Sequence, residues 1–309
     1  MSASGLTTRE LLSQRRKRDA AIKATAGKLG TTAANVRHQV SFALFFARLF
    51  ATEEGARQWL VLGGNALLIR TGGGRFTTDI DLARADEWDS PEELQNSLEE
   101  ALLAGDRPDG FEFRIVSCTQ HAEPDLYGYG KATAKVQMKL YFADREFSTF
   151  SVDATVKRHI DTRVDIKLLT PILDNDPALR DIPGVPLVPI ENHLADKICA
   201  LYELHGAQKT EPSNRYRDLA DIIRIVEYLD FNPDRLVDML RHEQSRRKIT
   251  LPQSMEVPGP DWPTEYPRAA GTYSGFPKKY HDLVAALQRA QLALGPLLER
   301  VAQENRDSS

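Results

Sequence analysis

Two short apolar runs, each closed by its own punctuation, set the frame for this chain. Gln58–Leu62 is apolar and ends at Gly63-Gly64, which suits a buried strand and a tight turn. Fourteen residues, Asn65 to Thr78, then lead to Asp79-Ile80-Asp81-Leu82. Within them Asn65–Arg70 reads as a short helix that Gly72-Gly73-Gly74 breaks. Thr78–Ala83 alternates as a strand, with Ile80 and Leu82 on one face and Asp79 and Asp81 on the other. Strand, glycine turn, helix and strand point to a mixed α/β sheet in this part of the chain.

The flanking segments extend that outline. Thr7 with Glu10 forms a capping-box pattern and starts a first helix, and Thr31 to Ala51 reads as a second, striped by Val36, Val40, Leu44 and Ala47. Ser90–Leu103 is an acidic helix with Ser90 as cap and Pro91 at its first position. Glu112–Cys118, Lys131–Phe142 and Phe147–Val156 are strand candidates, the last two by clear alternation. Asp174–Pro189, rich in Pro and Asp, reads as a crossing linker. Beyond it the pattern is helical: Ile190–His205, Asn214–Leu229, Pro233–Lys248 and about Lys278 to Ala302. Residues 249–277 hold six prolines and read as a segment draped over the surface through Trp262, Tyr266 and Tyr273. The expected division is 1–185, a mixed-sheet lobe with a helical start, and 186–309, a helical lobe.

Composition narrows the class. The chain has 309 residues, 41% of them hydrophobic and 27% charged, enough to form a large core. No stretch approaches the ~20 apolar residues that cross a bilayer, and no secretory signal is visible, so a cytoplasmic setting without membrane partners is expected. Cys118 and Cys199 cannot build a disulfide framework or a Cys-based zinc site. The net charge of −4 hides an asymmetry: residues 1–48 carry nine Lys/Arg against Glu10 and Asp19, and Arg241, Arg246, Arg247 and Lys248 form a second basic cluster. Such blocks suit phosphate-rich partners or a solvated helix face.

Asp79 and Asp81, i and i+2 on a strand, project from one face ~7 Å apart along it. Two hard oxygen ligands so placed can share Mg²⁺ with substrate phosphates. The double glycine lets backbone approach a triphosphate, and the helix after it aims N–H groups at the anion. Asp153 is a third carboxylate, mid-strand on the Ser151/Thr155 face, where a metal or a cation would compensate it. Lys197 lies roughly 40° from the centre of the apolar stripe Ile190, Leu194, Ile198, Leu201 and Leu204, so it must be paired or reach a site. Asp218, at the edge of the next stripe, can face a cleft or pair with Lys197; Asp221 is expected to see solvent. Gly128-Tyr129-Gly130-Lys131 lacks P-loop spacing, and His193 lacks a partner at zinc spacing.

In that order, these residues resemble a known family. "LVLGGNALLIR…GRFTTDIDL" and "PIENHLADKICAL…NRYRDLADI" look like the AbiEii/MenT nucleotidyltransferase toxins of bacterial toxin–antitoxin systems, over about residues 35–230. The resemblance implies a two-lobed polymerase-beta-like nucleotidyltransferase fold and transfer of a nucleotide from an NTP to the 3′ acceptor end of tRNA, blocking translation. It implies Gly63 and Gly64 as a phosphate turn with Asn65 beside them, Asp79 and Asp81 on Mg²⁺ (or Mn²⁺), Lys197 on the triphosphate and Asp218 as an active-site carboxylate. Arg75 joins Lys197 as a candidate for the triphosphate, and Asp153 for the metal shell or the hydroxyl proton. A cognate antitoxin is the implied partner. Thr77 matches a hydroxyl at which some members are silenced by phosphorylation, and alternation sets it on the carboxylate face, with Thr78 on the packed face. The gap before Asp79 is slightly longer than in many members. Alternatives are the same chemistry on a small molecule or protein, or a silent module that binds nucleic acid or an antitoxin.

Overall fold

The computed structural model describes residues 7–73, 76–120, 133–156, 163–273 and 275–307. The chain divides into two compact units. The first takes in the described residues up to 188, apart from Gly73, and the second begins at Pro189.

The first unit is built on seven strands in the order β3-β4-β5-β2-β1-β7-β6. They are β1 (Trp59–Val61), β2 (Asp79–Arg84), β3 (Phe111–Gln120), β4 (Thr133–Phe142), β5 (Arg145–Val156), β6 (Asp165–Lys167) and β7 (Val185–Leu187). β1 runs antiparallel to β2 and parallel to β7, while β2 runs parallel to β5, so the sheet is mixed. Alternation holds as the sequence predicts. Ala134, Val136, Met138, Leu140 and Phe142 of β4 are buried, and so are Phe150, Val152, Ala154 and Val156 of β5. The helices of this unit are α1 (Thr8–Leu29), α2 (Ala33–Leu49), α3 (Glu53–Gln58), α4 (Gly63–Thr71) and α5 (Pro91–Ala104). α1 begins at the expected capping box on Thr7, and α5 at its Ser90 cap. α2 drives Phe42 and Phe45 against Phe150 of β5, edge to face at centroid distances of 5.3 and 6.0 Å. Such pairs add about 0.5–1.5 kcal/mol each beyond the area they bury.

Much of the N-terminal basic block serves this unit. Arg18 is buried in an ion pair with Asp176, and its guanidinium lies 4.7 and 4.6 Å from the ring centroids of Phe111 and Phe142. Arg48, also buried, holds Asp109 at 2.7 Å and Asp106 at 3.3 Å.

The second unit is helical: α6 (Ile190–Tyr202), α7 (Tyr216–Tyr228), α8 (Pro233–Arg247), α9 (Trp262–Ala270) and α10 (Leu283–Asp307). Among the described residues no helix is long and apolar enough to cross a membrane.

Three expectations fail. The stretch read as a linker contributes β7, whose Leu187 pairs with Val61 of β1. Residues 249–277 do not drape over a surface: Trp262, Tyr266 and Tyr273 are buried, and α9 forms among the prolines. Trp262 donates from Nε1 to the Ser213 carbonyl at 2.8 Å, so its polar atom is satisfied inside the core. Half of the basic cluster at 241–248 is not available to a phosphate either, although Lys248 is exposed. Arg246 and Arg247 are buried, binding Glu243 at 2.5 and 3.2 Å, and Arg247 also binds Glu203 at 2.5 Å.

Candidate functional site

In the first unit the sequence brings a glycine and two carboxylates to one place. Leu62 closes β1 by donating its N–H to the Asp81 carbonyl at 2.9 Å. The chain then turns into α4 at Gly63, which stands at φ +57°, a conformation that favours glycine. A Cβ added there would lie 2.7 Å from Asp81 Cγ and overlap its carboxylate oxygen. The absence of a side chain at 63 therefore makes the room in which the Asp81 carboxylate sits. The helix begins at Gly63 itself, two residues before the sequence reading, and no side chain caps it. Its first N–H groups are an anion-favouring end beside that carboxylate.

Asp79 and Asp81 share the half-exposed face of β2, while Ile80 and Leu82 are buried on the other. On β5, Asp153 is the register partner of Asp81. Lys135 of β4 pairs with Asp153 at 3.4 Å across the next ladder, so a cation does compensate the mid-strand acid. A cleft of about 280 Å³ is lined by Leu62, Asp81, Thr133, Lys135, Asp153 and Thr155. Among the described residues no group of three or more His, Cys, Asp or Glu side chains converges as a metal cage. The donor set fits Mg²⁺ all the same, since that ion is commonly held by one or two carboxylates with waters and substrate phosphates completing its shell.

Asn65 and Thr77 have different surroundings from those expected. Asn65 is buried, and its Nδ2 donates to the Asp79 carbonyl at 2.7 Å. Its Oδ1 accepts from the Thr77 hydroxyl at 3.1 Å. The amide thus fixes the start of β2 rather than facing a phosphate. Thr77 is 3% exposed, whereas Thr78 is exposed. The alternation that set Thr77 with the acids and Thr78 in the core fails because β2 begins only at Asp79, after a bend at Thr78. Arg75 and the Gly128–Lys131 stretch lie outside the described residues.

In the second unit, Lys197 of α6 is buried among Leu194, Ile198 and Leu201. Its Nζ donates to Asp218 Oδ1 at 2.8 Å and to Asp221 Oδ2 at 2.7 Å. Burial disfavours the ammonium, but the two carboxylates outweigh it and hold its pKa above the ordinary lysine value. Asp221 does not see solvent: it is 1% exposed, and the Tyr273 hydroxyl lies 3.0 Å from its Oδ1. α7 is buried without a break from Asp218 to Ile225, because the chain around Tyr273 covers the side that periodicity leaves open. Asp218 also borders a cleft of about 550 Å³ with Arg215, Arg217, Glu265, Arg268 and Thr272. Sequence reasoning missed Lys135, Tyr273 and these three arginines. Only the "NRYRD" run carried a trace of the last group.

A family model described as "Nucleotidyl transferase AbiEii toxin, Type IV TA system" matches residues 44–290. No curated protein matches the sequence. Among solved structures, MenT4, a nucleotidyltransferase toxin of Mycobacterium tuberculosis H37Rv, is 18% identical. It aligns with 91% of this chain and 89% of its own, at a TM-score of 0.55, and shares the fold. JHP933 from Helicobacter pylori is 14% identical over 90% of this chain and 95% of its own, at a TM-score of 0.44.

Proposed function

From its membership of the AbiEii nucleotidyl transferase toxin family, to which this chain belongs, we propose that it moves a nucleoside monophosphate from an NTP to an RNA hydroxyl, foremost the 3′ end of tRNA. The observation that carries the reading is the Asp81 carboxylate lodged against side-chain-free Gly63 at the head of α4, with Asp79 on the same strand face. In the reaction the attacking hydroxyl forms a bond to the α-phosphorus. The bond from that phosphorus to the β-bridging oxygen breaks, and pyrophosphate leaves. Asp79 and Asp81 would hold Mg²⁺ or Mn²⁺, which supplies charge neutralisation on the transferring phosphoryl group. Gly63 and Gly64 let the backbone N–H groups of α4 approach the phosphates. Asp153, once released by Lys135, would accept the hydroxyl proton or join the metal shell. The assignment of Lys197 to the triphosphate and of Asp218 to the active site rests on likeness to the family motif.

A type IV toxin–antitoxin setting supplies the partner, a cognate antitoxin. Phosphorylation of Thr77 remains part of the reading, with a condition from the structure: the segment around it must open before a kinase reaches a hydroxyl 3% exposed. Phosphate there would break the Asn65 clamp on the Asp79 carbonyl and add about −1.5 to −2 charge next to the acids.

Incubation with each α-³²P NTP and total RNA tests the proposal. Label is expected in the tRNA band, lost with chelator and restored by Mg²⁺ or Mn²⁺. Label on protein or on small molecules alone would overturn the RNA acceptor, and no label with any NTP would overturn transfer.

A further inference from the structure

The structure sorts the nine cations of residues 1–48. Arg18 and Arg48 are buried in ion pairs, Arg37 holds Asp19 at 3.0 Å, and Arg15 donates to the Glu146 carbonyl at 3.3 Å. The five that are left, Arg9, Arg16, Lys17, Lys23 and Lys28, are all exposed on α1. At about 100° per residue, Arg9, Arg16 and Lys23 fall within roughly 40° of one line, and Lys17 and Lys28 flank them on one side. The opposite line, Leu11, Arg18, Ile22 and Ala26, is the buried one. From Arg9 to Lys28 the band runs roughly 28 Å at 1.5 Å per residue.

Neither acid of the helix neutralises the band. Glu10 is bound to the Thr7 cap, and Asp19 to Arg37. Between the cations lie Ser13, Ala20, Ala24 and Gly27, all exposed and small. The band has no aromatic side chain, and Leu12 stands only at its margin. A protein partner wants buried aromatic or aliphatic anchors, which this face lacks. A row of cations over small side chains suits a polyanion that needs charge and close approach but no pocket.

We propose that the solvent face of α1 binds the sugar-phosphate backbone of the acceptor RNA at a distance from its reacting end. The inference rests on the RNA-transfer reading above and adds a surface that lies outside the matched family region, 44–290. The sheet fixes the distance at one point of α1. Arg15 touches Glu146, and Asp153 lies seven residues farther along β5, about 24 Å at ~3.4 Å per residue. Contacts so far from the acids tighten binding of a long acceptor without touching the chemical step.

The test is the triple variant Arg9→Gln, Arg16→Gln, Lys23→Gln, with the pair Lys17→Gln, Lys28→Gln as an independent second. Gln keeps the helix propensity of the residues it replaces. Transfer to a full-length tRNA transcript is measured with the wild type and both variants, together with the Kd of the fluorescently labelled transcript between 50 and 200 mM salt. For the triple variant KM should rise about tenfold or more, and the slope of log Kd against log salt should fall by about 1 per cation removed. kcat at saturating tRNA should stay within about twofold. If the wild type labels tRNA while both variants keep its KM and salt slope, the inference is overturned and the RNA reading survives. If the wild type labels no RNA, the reading fails and the inference falls with it. Loss of antitoxin capture with tRNA affinity unchanged would identify the face as a protein site instead, and would equally overturn the inference.

Discussion

Asp81 and Asp221 are the same residue type in regular structure, and their surroundings differ in every respect. Asp81 stands half-exposed on a strand beside a glycine, in a row of like charges with Asp79 and Asp153. Asp221 is buried on a helix, held by the Lys197 ammonium and the Tyr273 hydroxyl. The first keeps its carboxylates half-exposed, where a cation and a substrate can reach them; the second is neutralised inside the fold and stabilises it. Loss of a sheet acid should therefore remove activity at little cost to folding. Loss of a member of the helical cluster should unsettle the fold, whatever it does to activity.

The largest expected effect breaks the first half of that contrast. Asp79→Asn or Asp81→Asn should lower nucleotide transfer about a thousandfold or more, some 4 kcal/mol in the barrier, while thermal melting stays close to the wild-type value. A variant with near-normal transfer would remove the metal assignment.

Lys197→Ala comes next. The lysine's apolar setting alone predicts that a methyl group packs acceptably there. The two buried carboxylates overturn that expectation, because they are left uncompensated at a cost of about 3–5 kcal/mol. Chemical denaturation of the wild type, Lys197→Ala and the triple variant Lys197→Met, Asp218→Asn, Asp221→Asn checks it. The triple variant should recover much of the loss, and a single variant as stable as the wild type would refute the pairing. The same cluster fixes a pH dependence. The lysine's folded pKa is raised, so its stabilisation is fully present below the free value of about 10.4 and fades as pH rises through the folded one. The melting gap between wild type and Lys197→Met should hold steady from pH 7 to pH 10 and narrow above that.

Gly63→Ala sharpens the contrast at a smaller scale. The left-handed backbone alone costs about 1–2 kcal/mol, and the new Cβ displaces the Asp81 carboxylate. Transfer should fall well beyond what the melting shift accounts for. Thr77→Val has the smallest effect, about 1 kcal/mol from the lost bond to Asn65, with transfer retained. Thr77→Glu should be inactive, and full activity in that variant would end the idea of control at this position.

The legible parts were those whose period is long and one-sided. β4 and β5 alternate over ten residues or more, so both faces could be assigned from the sequence. β7 is three residues long in a Pro-rich stretch, and its partner in β1 lies more than a hundred residues away, so no local pattern announced it. Lys135 was hidden by geometry. A two-residue turn with positive φ at Ala143 and Asp144 pairs Phe142 with Arg145, and counting outward from there sets Lys135 opposite Val152. A bulge at Leu140/Tyr141 slips the ladder by one and delivers Lys135 to Asp153. Asp221 and Tyr273 met through a segment whose prolines argued against packed structure.

The position of β1 has a consequence in time. One neighbour, β2, follows it within about two dozen residues, but Leu187, which pairs with Val61 on its other edge, is synthesised 126 residues after it. At roughly 5–20 residues per second, a ribosome leaves that edge of β1 bare for roughly 6–25 s. Arg18 waits longer still for Asp176, 158 residues on. Each new copy therefore passes through an interval in which its acids are already made and its sheet has not closed. The open strand edge of that interval is the part of the nascent chain most exposed to mispairing.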